Sequence, residues 1–373
     1  MYYYLIAGER SGDLHGSNLM REIKLLDSEA KFRFWGGDYM KEQGGTLVRH
    51  YSHMNFMGVI DVILNIPKVL LNLKKCQNDL LRNKPDVIIL IDFSGFNMRI
   101  AKFAHQNNLL VYYYISPKIW AWNRNRAFKI KEYIKRMFVI LPFEKDFYKQ
   151  YDFEVDYVGN PVLDAIRSFV PNPDFKKQNN LDERPVLAIL PGSRKTEVED
   201  MLHFMVSIMP AFRNYQLIIA GVSNLDRNYY EHFRREGFVS IIYDQTYDLL
   251  AHAEVALVTS GTATLETALF KVPQVVCYAT NTLTYMIGRP FVKIKYISLP
   301  NLIADKEIIP ELIQDRFSPI NVIEELLKIT EDSNNRKRML NDYEELSQKM
   351  GKDEASKKTA SLIVKYLKED SNK

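Results

Sequence analysis

Short, uniformly apolar runs recur along this chain, and segments with a helical pattern separate them. Strands that do not alternate polar with apolar residues are typical of a parallel sheet whose two faces are both covered by helices. The regular alternation of such strands with helices indicates the α/β class. In the first half of the chain the predicted strands are Tyr2–Ala7, Val87–Ile91, Leu110–Ile115 and Met137–Leu141.

A second series of the same kind follows a polar segment, 170–180, that contains two prolines. The sequence therefore predicts two Rossmann-like domains, 1–163 and 164–344, each a doubly wound parallel sheet, that face a cleft. A C-terminal helix, 345–373, could pack back on the first domain. Ligands of such sheets bind beyond the carboxyl ends of the strands, so the turns after strands are the candidate sites. The predicted strands of the second series are Val186–Leu190, Gln216–Ala220, Ser240–Tyr243, Val255–Val258 and Gln274–Tyr278.

The composition, with 46% hydrophobic and 26% charged residues, argues against a disordered chain. Cys76 and Cys277 are too few for a disulfide framework and favour a reducing cytoplasm. No apolar stretch reaches the roughly 18 residues of a membrane span, and the first residues lack the basic segment of a signal peptide. The net charge of +4 is too small to indicate a nucleic-acid partner.

Two turns in the second half of the chain could hold a phosphate group. In Pro191-Gly192-Ser193-Arg194, the glycine allows close approach of the backbone, the helix start offers free N–H groups, and the arginine supplies a fork of donors. In Ser260-Gly261-Thr262, small residues again open a helix, and Glu266 one turn later could accept both ribose hydroxyls. Either turn alone could be an ordinary capped helix start. Together they favour a site for a nucleoside diphosphate.

The turns of the first half support fewer kinds of chemistry. The glycine-rich segment Ala7–Gly16 matches neither the dinucleotide fingerprint nor the P-loop, so a dehydrogenase or P-loop kinase loses support. We interpret His15 within it as a packing or capping residue. Asp92 ends a buried strand, where it either caps a turn or acts as a general base or substrate ligand. No second acid follows it closely, which argues against a paired-carboxylate hydrolase, and the histidines and cysteines show no metal-binding spacing.

The segment from Met57 to Leu73 is apolar nearly all round a helix and ends in two lysines. Such a helix either lies in a core or contacts lipid. Residues 118–149 contain nine Lys or Arg and only three acidic residues. This excess of positive charge indicates either a solvated helix face or attraction to an anionic surface. Trp120 and Trp122, in a turn after a strand, suit a cleft or an interface. The residues expected to contact lipid are Val59, Val62, Ile63, Ile66 and Leu70.

Taken together, the motifs resemble those of the lipid-A-disaccharide synthases, GT-B glycosyltransferases of family 19 that act in outer-membrane lipid A biosynthesis. The resemblance covers most of the chain in the family's order. Its matching stretches are Ala7–Asp13, Met57–Val59, Pro85–Asp92, Ser116–Trp122, Leu141–Lys145, Gly159–Pro161, Leu190–Arg194, Ser260–Glu266, Tyr296–Asn301 and Pro310–Asp315.

The resemblance implies an inverting sugar transfer that uses no metal and no cofactor. UDP-2,3-diacylglucosamine would donate its sugar to the 6-hydroxyl of 2,3-diacylglucosamine 1-phosphate (lipid X), giving the β-1,6-linked disaccharide 1-phosphate and UDP. The family also implies a protein held peripherally on the anionic cytoplasmic face of the inner membrane. A homodimer is compatible with it.

The resemblance assigns roles to individual positions. Asp92 matches the family's essential carboxylate and would be the general base for the acceptor hydroxyl. The apolar residues named above would receive acyl chains or enter the inner leaflet. The contacts to UDP would be Ser193, Arg194, Ser260, Gly261, Thr262, Glu266 and Asn301, and the acceptor side would be lined by Gly8, Glu9, Ser11, Gly12, Asp13 and Trp120.

One position departs from the family pattern. Relatives commonly carry a second aspartate shortly after the catalytic one, where this chain has Gly95; we interpret that position as a helix start. Two alternative functions remain: another GT-B enzyme, either a UDP-N-acetylglucosamine epimerase or a polyprenyl-lipid glycosyltransferase, and a non-catalytic UDP-sugar-binding protein. An epimerase needs no lipid acceptor, so the apolar segment argues against it.

Overall fold

The chain forms two compact units. The first comprises Met1–Pro161 and Lys352–Lys373, and the second comprises Val162–Gly351. The boundary lies two residues before the predicted one at 163, and the return to the first unit occurs at residue 352. The residues that this computed structural model describes are 1–54, 66–223, 225–280, 294–330 and 333–371.

The described part of the first unit is built on a parallel sheet. The strand order is β3-β2-β1-β4-β5-β6-β7, and each neighbouring pair is parallel. The direction of winding reverses between β1 and β4, which makes their carboxyl ends the topological switch point. The strands are β1 Tyr2–Ala7, β2 Lys31–Gly36, β3 Thr46–His50, β4 Val87–Ile91, β5 Val111–Tyr114, β6 Arg136–Val139 and β7 Asp156–Tyr157.

Helices connect these strands and cover the sheet. The side chains of β1 and β4 are buried throughout or nearly so, as expected of strands covered on both faces. The helices are α1 Arg10–Leu26, α2 Asp38–Glu42, α3 Ile66–Asn83, α4 Ser94–Gln106, α5 Ile119–Trp122, α6 Arg126–Tyr133 and α7 Glu144–Lys149, with a 3-10 turn at Tyr51–His53.

A polar cluster fixes α3 against the sheet. Asp79 of α3 accepts hydrogen bonds from the Arg33 guanidinium (2.6 and 2.7 Å) and from the Tyr4 hydroxyl (2.7 Å), and Trp35 donates its indole N–H to that hydroxyl. Buried aromatic residues with polar atoms need such partners. The anchored face of α3 is therefore defined by Asp79, and the residues on its other side remain exposed.

The second unit repeats the architecture with a parallel sheet of order β10-β9-β8-β11-β12-β13 in its described residues. Here the winding reverses between β8 and β11. The strands are β8 Val186–Leu190, β9 Gln216–Gly221, β10 Val239–Tyr243, β11 Ala253–Thr259, β12 Gln274–Tyr278 and β13 Glu311–Ile313. The helices are α8 Pro161–Ser168, α9 Phe175–Gln178, α10 Lys195–Val206, α11 Asn228–Glu231, α12 Thr246–Ala251, α13 Thr262–Leu269, α14 Leu299–Ala304, α15 Pro319–Thr330 and α16 Asn334–Met350, with 3-10 turns at Met209–Ala211 and Gln314–Arg316.

The predicted helix 345–373 is in fact two helices. Helix α16 ends at Met350 and is capped by Gly351, whose φ of +78° suits glycine, and α17 (Ala355–Ser371) follows. Only α17 belongs to the first unit, where it packs against α1. Among the helices of the described ranges, none has both the length and the apolarity to cross a membrane.

Four predicted strands, at 2–7, 87–91, 186–190 and 274–278, have the observed bounds. Strand β2 was missed because Lys31 and Arg33 interrupt its apolar residues, and β7 and β13 were missed because two or three residues give no readable pattern. The doubly wound α/β class is confirmed for both units.

Candidate functional site

In the first unit, two turns predicted from the sequence lie side by side at the switch point. Ala7 of β1 pairs with Ile91 of β4, so Gly8 and Asp92 leave the sheet next to each other. On the other side of β4, the Asp92 N–H donates to the Tyr114 carbonyl (3.1 Å). Asp92 therefore occupies the position at which ligands of this fold class bind.

The backbone at Asp92 is strained and firmly held. Asp92 and Phe93 have φ values of +44° and +46°, a left-handed conformation that costs about 1–3 kcal/mol for each such residue. The Asp92 carbonyl accepts hydrogen bonds from the Asn97 amide (2.8 Å) and from the Tyr113 hydroxyl. These bonds fix the turn that bears the Asp92 side chain and leads into α4.

The surroundings of Asp92 favour a basic carboxylate. Burial raises the pKa of Asp92 above the usual value, and the nearby Glu9 carboxylate raises it further, whereas the charge of Lys118 lowers it. A carboxylate with a raised pKa accepts a proton more readily and is a better general base. The arrangement suits proton abstraction from a hydroxyl group.

The remaining residues predicted on the acceptor side fall into two groups. Glu9 and Ser11 are exposed, and Gly12 lies against Ala7. Asp13 is 1% exposed, and its carboxylate accepts hydrogen bonds from the backbone N–H groups at the start of α2. Its role as a ligand contact is thus corrected to a structural one, because its oxygens already cap α2. Its three donors are Gly37 (2.6 Å), Tyr39 (3.1 Å) and Met40 (3.2 Å).

Trp120 also differs from its prediction. Its side chain is 5% exposed, and the indole N–H donates to Glu144 Oε1 (3.2 Å), a carboxylate that is itself buried. Burial raises the pKa of Glu144 to about 7, although hydrogen bonds from Leu141 and Trp120 oppose the rise. Trp120 therefore anchors its turn, and its indole N–H is not offered to a ligand.

The second unit brings its two predicted phosphate turns together in the same way. Leu190 of β8 pairs with Val258 of β11, so both turns emerge at the switch point of this sheet. Gly192 has a φ of +103°, which favours glycine, and Ser193 and Arg194 after it are exposed. The start of an α-helix offers N–H groups that lack the usual intrahelical partners, which makes the starts of α10 and α13 candidate positions for an anion.

Ser260 has a role within the turn itself. Its hydroxyl donates to the Ile297 carbonyl (3.0 Å), and its N–H donates to the Cys277 carbonyl (3.0 Å). Both of its donors are therefore used inside the protein. Gly261 and Thr262, which follow, are exposed at the start of α13 and present the donors that a phosphate would meet.

Glu266 lies one turn into α13 and is mostly buried. It accepts a hydrogen bond from the Tyr247 hydroxyl (3.1 Å), and Tyr247 packs against Phe169 and Phe270. Burial raises the pKa of Glu266, and the Tyr247 hydrogen bond partly offsets the rise. The hydroxyl thereby favours the ionised carboxylate, the form that accepts hydrogen bonds from a diol.

Asn301 does not face a ligand, which corrects its predicted contact with the nucleotide. It is 0% exposed, its amide N–H₂ donates to Ile309 O and Glu311 Oε1 (2.8 Å each), and its carbonyl accepts the N–H of Ile308 and Ile309. Glu311 also accepts the N–H of Ile297 (2.9 Å), the residue whose carbonyl holds Ser260. Through Glu311 and Ile297, Asn301 therefore supports the predicted phosphate-binding turn at Ser260–Thr262.

Of the residues predicted to contact lipid, Val59, Val62 and Ile63 lie outside the described residues. Ile66 and Leu70 are on α3 and are 46% and 59% exposed, as is their neighbour Leu71 at 67%. Their exposure excludes core burial for this end of α3. Trp122 and Phe128, in the basic stretch, are exposed as well.

Sequence reasoning missed four residues that organise these sites: Lys118, Glu144, Tyr247 and Glu311. Glu144 and Glu311 lie in stretches that carry the family resemblance, so an acid inside an apolar motif was the available signal. Tyr247 lies 19 residues from Glu266 and gave no such signal.

The sequence matches the family model described as lipid-A-disaccharide synthetase over residues 3–365. The lipid-A-disaccharide synthase of Syntrophus aciditrophicus is 33% identical over 372 residues, covering 98% of this chain and 97% of the relative. That of Myxococcus xanthus is 34% identical over 374 residues, covering 97% of each. The resemblance found in the motifs is thus confirmed along the whole chain.

Solved structures show the fold. The glycotransferase of kitacinnamycin has a TM-score of 0.66 at 13% identity and covers 98% of this chain and 99% of its own. The UDP-GlcNAc 2-epimerase from Neisseria meningitidis bound to UDP-GlcNAc has a TM-score of 0.63 at 14% identity, covering 99% and 100%. Glycosyltransferases and epimerases share this GT-B fold, so the fold alone does not choose between them. The sequence relationship does: the chain belongs to the lipid-A-disaccharide synthase family of glycosyltransferases.

Proposed function

We propose that this protein transfers the sugar of UDP-2,3-diacylglucosamine to the 6-hydroxyl of 2,3-diacylglucosamine 1-phosphate and releases UDP. The observation that carries the proposal is the position of Asp92, a half-buried carboxyl group with a raised pKa at the switch point of the first sheet. Family membership over nearly the whole chain supplies the substrate class.

In the proposed reaction, Asp92 accepts the proton of the acceptor hydroxyl as its oxygen attacks the anomeric carbon of the donor. The C–O bond to UDP breaks on the opposite face, which inverts the anomeric centre. The strained, hydrogen-bonded turn at residues 92–93 supports this role because it fixes the backbone from which the carboxyl group projects. Gly8 and Glu9 lie on the turn next to it, Ser11 and Gly12 lie in the first turn of α1, and these four residues would border the acceptor.

UDP would bind at the switch point of the second sheet. Ser193, Arg194, Gly261 and Thr262 would contact the diphosphate, with Ser260 shaping the turn, and Glu266 would accept the ribose hydroxyls. The arginine and the two helix starts would stabilise the charge that develops on the leaving diphosphate.

Both substrates would be drawn from a membrane surface. The exposed Ile66, Leu70 and Leu71 on α3, together with the basic stretch at 118–149, support peripheral binding to the anionic cytoplasmic face of the inner membrane. The apolar side chains would insert into the bilayer, and the lysines and arginines would be attracted to its anionic headgroups.

The test is an assay of the purified protein with both substrates in detergent, with the disaccharide 1-phosphate and UDP measured by mass spectrometry. The wild type is expected to form both products, and a folded Asp92→Ala variant is expected to lose at least about a hundredfold in kcat. Failure of the wild type to form the disaccharide, in spite of measurable UDP binding, would favour a UDP-sugar-binding protein or an epimerase. Equal turnover by the variant would remove Asp92 from the mechanism.

A further inference from the structure

Asn97 is buried behind the turn that carries Asp92. It lies near the start of α4 and is 0% exposed. Its side-chain amide donates toward three backbone carbonyls, those of Ile6 (3.4 Å), Ile91 (3.2 Å) and Asp92 (2.8 Å). Ile6 is in β1, Ile91 is the last residue of β4, and Asp92 follows it. One amide group therefore joins the two strands that border the switch point.

The surroundings determine the orientation of this amide. The reverse orientation would place the amide oxygen against the same three carbonyl oxygens, which only accept hydrogen bonds. In the observed orientation Asn97 Oδ1 is buried and meets no donor among the residues that the structure describes. A buried acceptor without a partner lowers the stability of a protein. What Asn97 contributes at this position is thus its N–H₂ group.

A second buried donor reaches the Asp92 carbonyl from another element. Tyr113 of β5 is 0% exposed, and its hydroxyl donates to the same oxygen as the Asn97 amide. On the other side of the residue, the Asp92 N–H donates to the Tyr114 carbonyl (3.1 Å). The backbone needs this support because a φ of +44° is unfavourable for a residue with a side chain. The peptide groups on both sides of the Asp92 side chain are therefore held.

We propose that Asn97 is a positioning residue: its amide holds the backbone of Asp92 in the left-handed conformation from which the carboxyl group acts as the base. The inference rests on the proposed function, in which Asp92 is that base. Because Asn97 is buried, it acts on the substrates only through the backbone of Asp92. Without its N–H donors the turn can relax toward a right-handed backbone, which redirects the carboxyl group while the sheet stays folded.

The experiment compares Asn97→Asp with the wild type in the disaccharide assay. The substitution replaces the N–H₂ group by an oxygen of similar size, so the donors are lost and the shape is kept. We expect kcat to fall by at least about tenfold, because small displacements of a catalytic group are costly in rate. The KM for the UDP-sugar is expected to change by less than about twofold, because the lost interaction is not one that binds the donor.

Gln216→Glu is the matched control. Gln216 is also a buried amide, 5% exposed, and its N–H₂ group donates to the carbonyls of Asp182 (3.0 Å) and Arg184 (2.9 Å) in the second unit. The same chemical change there is expected to lower the midpoint of thermal unfolding, as Asn97→Asp does, and to leave kcat unchanged. Equal losses of kcat in the two variants would overturn the proposal, because the loss would then follow stability alone.

Wild-type kcat in a folded Asn97→Asp protein would also overturn the proposal. If Asn97→Asp does not fold, Asn97→Ala replaces it, since alanine removes the donors together with the unpartnered oxygen and brings no charge into the site. The same fall in kcat is expected of Asn97→Ala, and an unchanged kcat would contradict the positioning role.

A crystal structure of the folded variant at Asn97 gives a readout that is independent of turnover. The φ of Asp92 is expected to leave the left-handed region while β1 and β4 stay paired. If the wild type forms no disaccharide but this change is observed, the proposed function fails and the hold of Asn97 on the turn stands. If the disaccharide forms and both kcat and the φ of Asp92 are unchanged in the variant, only the positioning role fails.

Discussion

The ring of Phe93 fills the space that a side chain at residue 8 would need. A β-carbon built on Gly8 would lie 2.2 Å from Cγ of Phe93, far inside van der Waals contact. Glycine at position 8 therefore allows the turn after β1 to pack against the turn after β4, which carries Asp92.

Gly8→Ala is accordingly expected to impair catalysis more than folding. The added methyl group must displace Phe93 and with it the Asp92 carboxylate, and small displacements of a catalytic group can cost about a hundredfold in rate. Overpacking of this kind costs about 1–3 kcal/mol in the free energy of unfolding. The measurements are kcat in the disaccharide assay and the midpoint of thermal unfolding.

Gly95→Ala is the matched control. A β-carbon at Gly95 meets no atom within 4 Å, and the residue is exposed in the first turn of α4. Alanine there should raise the free energy of unfolding by about 0.5–1 kcal/mol and leave kcat unchanged. An equal loss of kcat in both variants would contradict the steric explanation.

Tyr247→Phe tests the ionisation of Glu266. Because the Tyr247 hydroxyl lowers the pKa of Glu266 against the effect of burial, its loss should raise that pKa further. UDP affinity, measured by calorimetry, is then expected to fall roughly three- to tenfold more at pH 6 than at pH 8.5. Tyr243→Phe removes a comparable hydroxyl-to-Glu231 bond (3.0 Å) and should show no such pH dependence. Similar pH profiles for the two variants would exclude this role of Tyr247.

Glu311→Gln tests the support behind the phosphate turn. The Glu311 carboxylate accepts hydrogen bonds from Ile297, Ser298 and Asn301, and a glutamine N–H₂ would face donors in its place. We expect a loss of about 1–3 kcal/mol in the free energy of unfolding and a weaker affinity for UDP. The exposed Glu307→Gln serves as the control. If Glu311→Gln destabilises the protein but leaves its UDP affinity unchanged, the hydrogen bonds to Glu311 contribute to folding and not to UDP binding.

The exposed leucines of α3 are expected to bind lipid. Leu70→Gln with Leu71→Gln should lower co-sedimentation with anionic vesicles by roughly tenfold, since each leucine loses its gain from burial in the bilayer. Thermal unfolding and UDP binding should be unchanged because both side chains are already exposed. Leu25→Gln removes a leucine of α1 that is 76% exposed. If it lowers sedimentation equally, the effect is not specific to α3.

Local sequence patterns were enough to predict the strands on either side of both switch points. The runs at 87–91 and 186–190 are uniformly apolar and short, so their period and their ends can be read without knowledge of their neighbours. The turns that follow them carry Asp92 and Gly192. The sequence marked Asp92 because a carboxylate at the end of a buried strand has little structural reason to be there, and it marked Gly192 because glycine allows a ligand to approach the backbone closely. The family resemblance supplied the reaction.

Only the tertiary structure decided which polar side chains face outward from these turns. Asp13, Trp120 and Asn301 all lie in motifs of the right kind, yet each is buried against partners that no local pattern announces. Trp120 meets Glu144, 24 residues later in the chain, and Asp13 meets the start of α2. The physical reason is that a buried polar group must find a partner, and the folded arrangement of strands, rather than the spacing along the chain, determines which partner is within reach.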